Sequence, residues 1–242
     1  MGAYSDAILA TSGLVSYWRL GESSGGTATD LKNGNNGTYS GTPGYGASGL
    51  IAGDANTAIQ FSGDDKITFA SSTPFVTTAF SFEAWIVIDA WSVSLTLANI
   101  WNGSFGGGWC LKQPDSSPDG RMNLFVNYSV SGGQDLFSSG WSLATPYHIV
   151  ATCDGQYQRL YRNGAKVAEG GPFSAAVADS GSMVFGIGYM TPIDSFNWQG
   201  KIDDAAFYNT ALSDATILAH YNLGIGAKRN KYRNFQLRPV AQ

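Results

Sequence analysis

Between positions 80 and 89 the chain alternates without a break. Phe80, Phe82, Ala84, Ile86 and Ile88 fall on one side and Ser81, Glu83, Trp85, Val87 and Asp89 on the other. A period of two with one wholly apolar face predicts a central strand of a packed sheet. Similar β-rich runs recur along the chain: LVSYWRL, AIQFSG, KITFA, WCLKQ, RMNLFVNYS, YHIVATC, YQRLYRN, KVAEG, SMVFGIGY and KIDDAAFY. Turn signals separate them at the spacing of a two-sheet sandwich. Between 147 and 169, Asp154-Gly155 and Asn163-Gly164 each divide two runs. Both dipeptides favour tight hairpin turns, so this segment is expected to be a three-stranded meander. The helical pattern is confined to LSDATILAHYNLG, with Ser213 as N-cap, Ile217, Leu218 and Tyr221 on one face, and Gly224 as the stop. No repeat of 20 to 50 residues is present, which excludes solenoids and propellers.

Composition agrees with an all-β chain: 242 residues with 31 glycines, 13% aromatic and 13% charged. A sandwich of this length is commonly one unit. The net charge of −4 is uneven, because the stretch from Ile225 to Gln242 holds five basic residues and no acid. The rest has nine basic and eighteen acidic residues and carries −9. Such a body is not expected to bind nucleic acid. No apolar run is long enough to insert in a membrane, and the first twenty residues lack a basic and an apolar signal region. Cys110 and Cys153 have neither CxxC spacing nor a nearby histidine, so a metal or redox role is not expected; a disulfide between them stays open.

Four stretches in this order and spacing resemble the laminin-G-like domains of the concanavalin-A superfamily: SYWRLGE at 16–22, FSFEAWI at 80–86, HIVATCDG with LYRNGAKVA at 148–168, and GKIDDAAFYNTALSDATILAHY at 200–221. The resemblance implies a two-sheet antiparallel jelly-roll sandwich with one short C-terminal helix. It spans 14–224, after a lead-in at 1–13 and before a basic tail at 225–242. Cys153 departs from it, since an aromatic usually precedes the Asp-Gly turn. The opening YSDAILATSGLVSYWRLGE is similar to stretches in laminin-G-like domains of tailed-phage virion proteins. That similarity implies a non-catalytic virion surface protein, as a capsid decoration, head fibre or tail-associated component, made in the host cytoplasm and released by lysis. A lectin-like module recognising host glycans, in an extracellular setting, is the alternative. A glycoside hydrolase is the remote one.

Hydrolysis needs two carboxylates flanking a bond. The nearest approach is Glu83 with Asp89, which six strand residues separate by about 20 Å, beyond that reach. His148 reads as a strand residue bonded to its neighbours and His220 as a helix C-terminal residue complementing the dipole. No nucleophile stands in an elbow context, so no enzyme is expected.

Calcium takes oxygen ligands from separate loops. Glu22, Asp30 and Asn33 supply them in one loop. The resemblance implies that Asp203 lies near and that a structural Ca2+ is held between. Sugar recognition uses an aromatic ring plus orienting polar groups, and Trp101, Asn102, Phe105 and Trp109 in NIWNGSFGGGWC offer that mixture. Trp18 and Trp85 belong to strands and are expected in the core. The tail, with Lys228, Arg229, Lys231, Tyr232, Arg233, Phe235 and Arg238, is too polar to form a core of its own. It is expected to pack on a partner, either virion structural proteins or further copies of this chain.

Overall fold

Every residue of the alternating run from Phe80 to Ile88 is buried in the computed structural model. Its two faces meet two different cores, which is why both could be buried. The structure describes residues 1–102, 107–114, 120–174, 177 and 183–226. In chain order the elements are α1 (Ala3–Ala10), β1 (Leu14–Trp18), β2 (Thr27–Ala28), β3 (Gly37–Ser40), β4 (Gly44–Ala47), β5 (Ala58–Phe61) and β6 (Lys66–Phe69). A 3-10 turn at Thr73–Phe75 leads into β7 (Phe80–Ile88), β8 (Thr96–Trp101), β9 (Gly108–Lys112), β10 (Met122–Tyr128) and β11 (Gly132–Ser138). There follow β12 (Pro146–Cys153), β13 (Gln158–Arg162), β14 (Ala165–Gly170), β15 (Val184–Ile187), β16 (Gly200–Tyr208) and α2 (Asp214–Gly224).

The strands form two antiparallel sheets of eight, as the jelly-roll reading requires. One runs β14-β13-β12-β7-β16-β5-β4, with β1 also paired to β16; the other runs β11-β10-β9-β8-β15-β6-β3-β2. Between them lies the main core. It includes Phe80, Phe82, Ala84, Ile86 and Ile88 from β7, and Trp18, Trp109, Phe185 and Phe207. A second core lies under the helices, on the outer face of the first sheet. There Trp85, Val150, Tyr161 and Tyr208 meet Tyr4 and Ile8 of α1 and Ile217 of α2. Trp18 and Trp85 are thus core residues, as expected.

The meander is present as β12, β13 and β14. Its second turn places Asn163 at φ 52° and Gly164 at φ 77°, the left-handed pair that a two-residue hairpin demands. Ser213 caps α2 by accepting a hydrogen bond from the Thr216 amide. Leu218, expected on the packed face, is 47% exposed, and His220 is buried in its place. Positions 217, 220 and 224 fall three and four apart, so they, and not 218, share the stripe facing the sheet.

One further expectation is corrected. The lead-in contains α1, whose Tyr4 and Ile8 share one face at a spacing of four. The NIWNGSFGGGWC stretch supplies the end of β8 and the start of β9, paired from Thr96↔Lys112 to Trp101↔Gly108. Cys110 and Cys153 are buried and free, so no disulfide links them.

Candidate functional site

Antiparallel strands β8 to β11 turn alternate residues away from the main core, and these build a groove on the outer face of the second sheet. In β10, Met122, Leu124, Val126 and Tyr128 point inward, so Asn123, Phe125 and Asn127 point outward. In β9, Trp109 and Leu111 point inward and Cys110 and Lys112 outward. The groove has a volume of about 340 Å³ and is lined by Ser94, Trp101, Cys110, Lys112, Phe125, Asp135, Met190 and Phe196.

Its floor is aromatic. Trp101 and Phe125 meet edge to face with ring centroids 5.3 Å apart. Phe125 can lie flat on the neighbouring strand because position 133 is glycine: a Cβ there would stand 2.5 Å from the ring. The polar groups are held by their neighbours. Asn123 Nδ2 donates to Asp135 Oδ1 at 2.8 Å, and the Arg121 guanidinium lies 5.4 Å over the Phe137 ring. One wall is the segment from Met190 to Phe196. It is pinned by buried Asn99, whose Nδ2 donates to the Tyr189 carbonyl at 2.6 Å and whose Oδ1 accepts from the Thr191 hydroxyl and amide. The Thr96 amide closes the wall by donating to the Phe196 carbonyl at 2.8 Å. Apolar rings beside a carboxylate and an ammonium, on rigid strands, suit a ligand with one apolar face and a hydroxyl-rich edge.

Of the ligand residues expected from sequence, Trp101 lies in the groove and Asn102 follows it at the end of β8. Phe105 falls outside the described residues. Trp109 is corrected to the core. It is 1% exposed and stacks on Phe80 at 4.5 Å and parallel to Phe207 at 6.2 Å. The register pairs Trp109 with Ile100, so Trp109 points inward with it while Trp101, one residue on, points outward. The sequence reading missed Phe125, although an aromatic between Asn123 and Asn127 on the polar face of an alternating strand was the available signal.

Each of the expected metal ligands has partners within the protein. The Asp30 carboxylate is saturated by four backbone amides, those of Tyr17, Lys32, Asn33 and Asn35, at 2.8–3.1 Å. Glu22 accepts from the Thr29 amide and the Tyr39 hydroxyl. Asp203 accepts from the Leu50 amide at 2.7 Å and from Asn56. The Asn33 side-chain amide donates to the Val15 carbonyl. Among the described residues no three His, Cys, Asp or Glu side chains are placed to hold a metal. The tail residues Lys228, Arg229, Lys231, Tyr232, Arg233, Phe235 and Arg238 lie outside the described residues.

A second constellation sits on the opposite sheet, beneath α1 and α2, with no exposed surface. Glu83 receives His148 Nε2 at 2.8 Å, the Tyr4 hydroxyl at 3.0 Å, the Tyr208 hydroxyl at 3.2 Å, and His220 Nδ1 at 3.0 and 3.1 Å from its two oxygens. Burial pushes the Glu83 carboxyl up, but the His220 charge and the hydrogen bonds from both histidines outweigh it and hold it well below the usual carboxylate range. His220 is therefore corrected from a helix C-terminal dipole partner to a buried partner of Glu83. On β16, Asp203 and Asp204 are both pushed up by burial. Asp203 is raised further by the charge of Asp204, and the bond from Tyr17 and the charge of Arg19 act against the rise at Asp204. Arg19 in turn pairs with Asp54 at 2.7 Å.

A family model described as the concanavalin A-like lectin/glucanases superfamily, Laminin_G_3, matches residues 61–218. No curated protein matches the chain. Among solved structures, a Trypanosoma rangeli sialidase mutant displaying trans-sialidase activity superposes with a TM-score of 0.64 at 14% identity, over 90% of this chain and 37% of the sialidase. The receptor-binding domain of botulinum neurotoxin mosaic serotype C/D gives 0.62 at 16%, over 87% of this chain and 50% of that one. Domain 4 of AbnA, an extracellular arabinanase from Geobacillus stearothermophilus solved in complex with arabinotriose, gives 0.57 at 16%, over 86% of this chain and 98% of that domain. This chain thus spans well under two thirds of the sialidase and toxin chains. At these identities the likeness is one of fold, shared by enzymes and by binding domains.

Proposed function

The chain belongs to the Laminin_G_3 family of the concanavalin A-like lectin/glucanases superfamily, and from that premise we propose that it is a non-catalytic adhesion module that binds glycans in the groove over β8 to β11. The observation that carries this reading is the Trp101–Phe125 floor beside Asp135 and Lys112. Two relatives in fold support it: the arabinanase domain was solved with arabinotriose, and a botulinum neurotoxin DC binding domain with SialylT. Against hydrolysis stands the distribution of carboxylates. Asp135 is the one carboxylate lining the groove among its described residues. Glu83, Asp203 and Asp204 are fully buried in the other sheet. Two-carboxylate chemistry needs both groups within about 5–9.5 Å across a bound sugar.

The setting we propose is a virion surface. Its support is the opening stretch, which forms α1 and β1 and so belongs to the domain itself, with the basic tail as the attachment element. Immunogold labelling of particles carrying the full chain, compared with particles given a chain ending at Gly224, tests this. Label on the first and its loss on the second are expected; label on neither would remove the virion reading.

For the groove, Trp101→Ala is expected to weaken binding of the best oligosaccharide from a glycan array about 30-fold, as loss of a central aromatic anchor does. Calorimetric titration reads the change. Unaltered affinity would place the binding surface elsewhere.

A further inference from the structure

The chain has two histidines, and both reach the same buried carboxylate from segments 65 and 137 residues away from it. The hydrogen-bond geometry around one of them suits a charged ring. With the Thr11 hydroxyl donating its single proton to the Ala7 carbonyl at 2.8 Å, His220 Nε2, 3.1 Å from the same oxygen, is placed to donate there. On the other side of the ring Nδ1 faces the Glu83 carboxylate, which accepts only. A ring that donates from both nitrogens is an imidazolium.

We propose that His220 is a proton-dependent latch: as its imidazolium it clamps α2 to Glu83 and to the end of α1, and on deprotonation it loosens both helices from the sheet. The neutral ring can keep one donor. Either Nδ1 then turns a lone pair on the Glu83 carboxylate, or Nε2 turns one on Thr11, whose hydroxyl must leave the Ala7 carbonyl to compensate. The first weakens the hold on α2, the second frees the Ala7 carbonyl at the end of α1. In both cases Glu83 stays buried with its charge unbalanced. The direction agrees with the environment of the ring: burial alone would lower its pKa, but the charge and hydrogen bond of Glu83 prevail and raise it. A histidine raised in the folded state contributes stability that is complete below about pH 6.5 and is lost as pH climbs through the folded value.

The groups packed around the latch are accounted for. Tyr4 from α1 and Tyr208 from β16 stay protonated, because burial and Glu83 raise both well above 10. His148 comes from β12, and Tyr17 and Asp204 lie beyond Tyr4 and Tyr208. Asp214 on α2 is engaged by the Tyr161 hydroxyl at 2.7 Å. Asp203 and Asp204 bond to Leu50, Asn56, Tyr17 and Arg19; burial raises both, Asp203 to about 9, so their deprotonation also loosens the fold as pH rises, and the part of the slope lost in His220→Gln is the part that belongs to His220.

With only two imidazoles to assign, nitrogen-detected NMR of the wild-type chain is the direct test. His220 is expected to carry protons on both nitrogens at pH 7 and to titrate above 6.5. Hydrogen-exchange protection of α2 and of the end of α1, corrected for intrinsic rate, should fall as pH rises above about 6.5. The expected fall is about tenfold for each unit by which the His220 pKa exceeds 6.5. His220→Gln, which can still donate but does not titrate, should flatten that slope. A single neutral tautomer at pH 7, protection that ignores pH, or an unchanged slope in His220→Gln would each overturn the latch. Should that variant fail to fold, the wild-type NMR titration decides alone.

Discussion

Glu83→Ala is expected to lower the folding stability by about 3–5 kcal/mol, the usual cost of removing one side of a buried, hydrogen-bonded charge pair. Glu83 is fully buried and accepts from His148, His220, Tyr4 and Tyr208. Truncation leaves an imidazolium and three further donors facing a void. The donors come from α1, β12, β16 and α2, so the loss is spread over the whole outer face of the first sheet. Glu83→Gln keeps the volume and one acceptor oxygen and should cost less. Asp89→Ala, at the end of the same strand run and bonded to Gln60 at the surface, should stay within about 0.5 kcal/mol of wild type. Urea denaturation at pH 6 reads all three. A Glu83→Ala protein as stable as Asp89→Ala would mean that the network does not hold the helices.

Trp109→Ala is expected to cost about 3–5 kcal/mol as well, by leaving a cavity between Phe80 and Phe207. Trp101→Ala should cost far less stability, since Trp101 stands on the outer face with its ring in the groove. The pair separates packing from recognition: thermal melts should single out Trp109, and glycan affinity in folded protein should single out Trp101. Preserved stability in Trp109→Ala together with lost binding would reverse the assignment of the two faces.

How much of this was legible in the sequence follows from how local each cause is. The 147–169 meander and the Ser213 cap were readable because an Asn-Gly turn and an N-cap act over three or four residues. The alternation from Phe80 to Ile88 placed β7 correctly, but alternation does not say what covers the mixed face, so the second core and α1 went unseen. WCLKQ read as a β-rich run, but a run alone does not say which face turns inward, and so Trp109 was grouped with Trp101 as a sugar contact. Asp30 was expected as a calcium ligand from its loop alone, and the four backbone amides that donate to its carboxylate come together only in the folded chain. The Glu83 network was beyond reach, because each histidine alone has an ordinary explanation and only the sheet brings both to one carboxylate.

The surface that a sugar touches can be located directly. The measurement is a titration of isotopically labelled protein with the best oligosaccharide from a glycan array, following backbone amides and tryptophan indoles by NMR and the sugar signals in the same samples. We expect shifts at Trp101, Phe125, Asp135 and the Met190 to Phe196 wall, with the sugar unchanged over days. Shifts confined to the Glu22 and Asp30 loops, or new reducing-end signals that an Asp or Glu substitution abolishes, would contradict a non-catalytic groove on the second sheet.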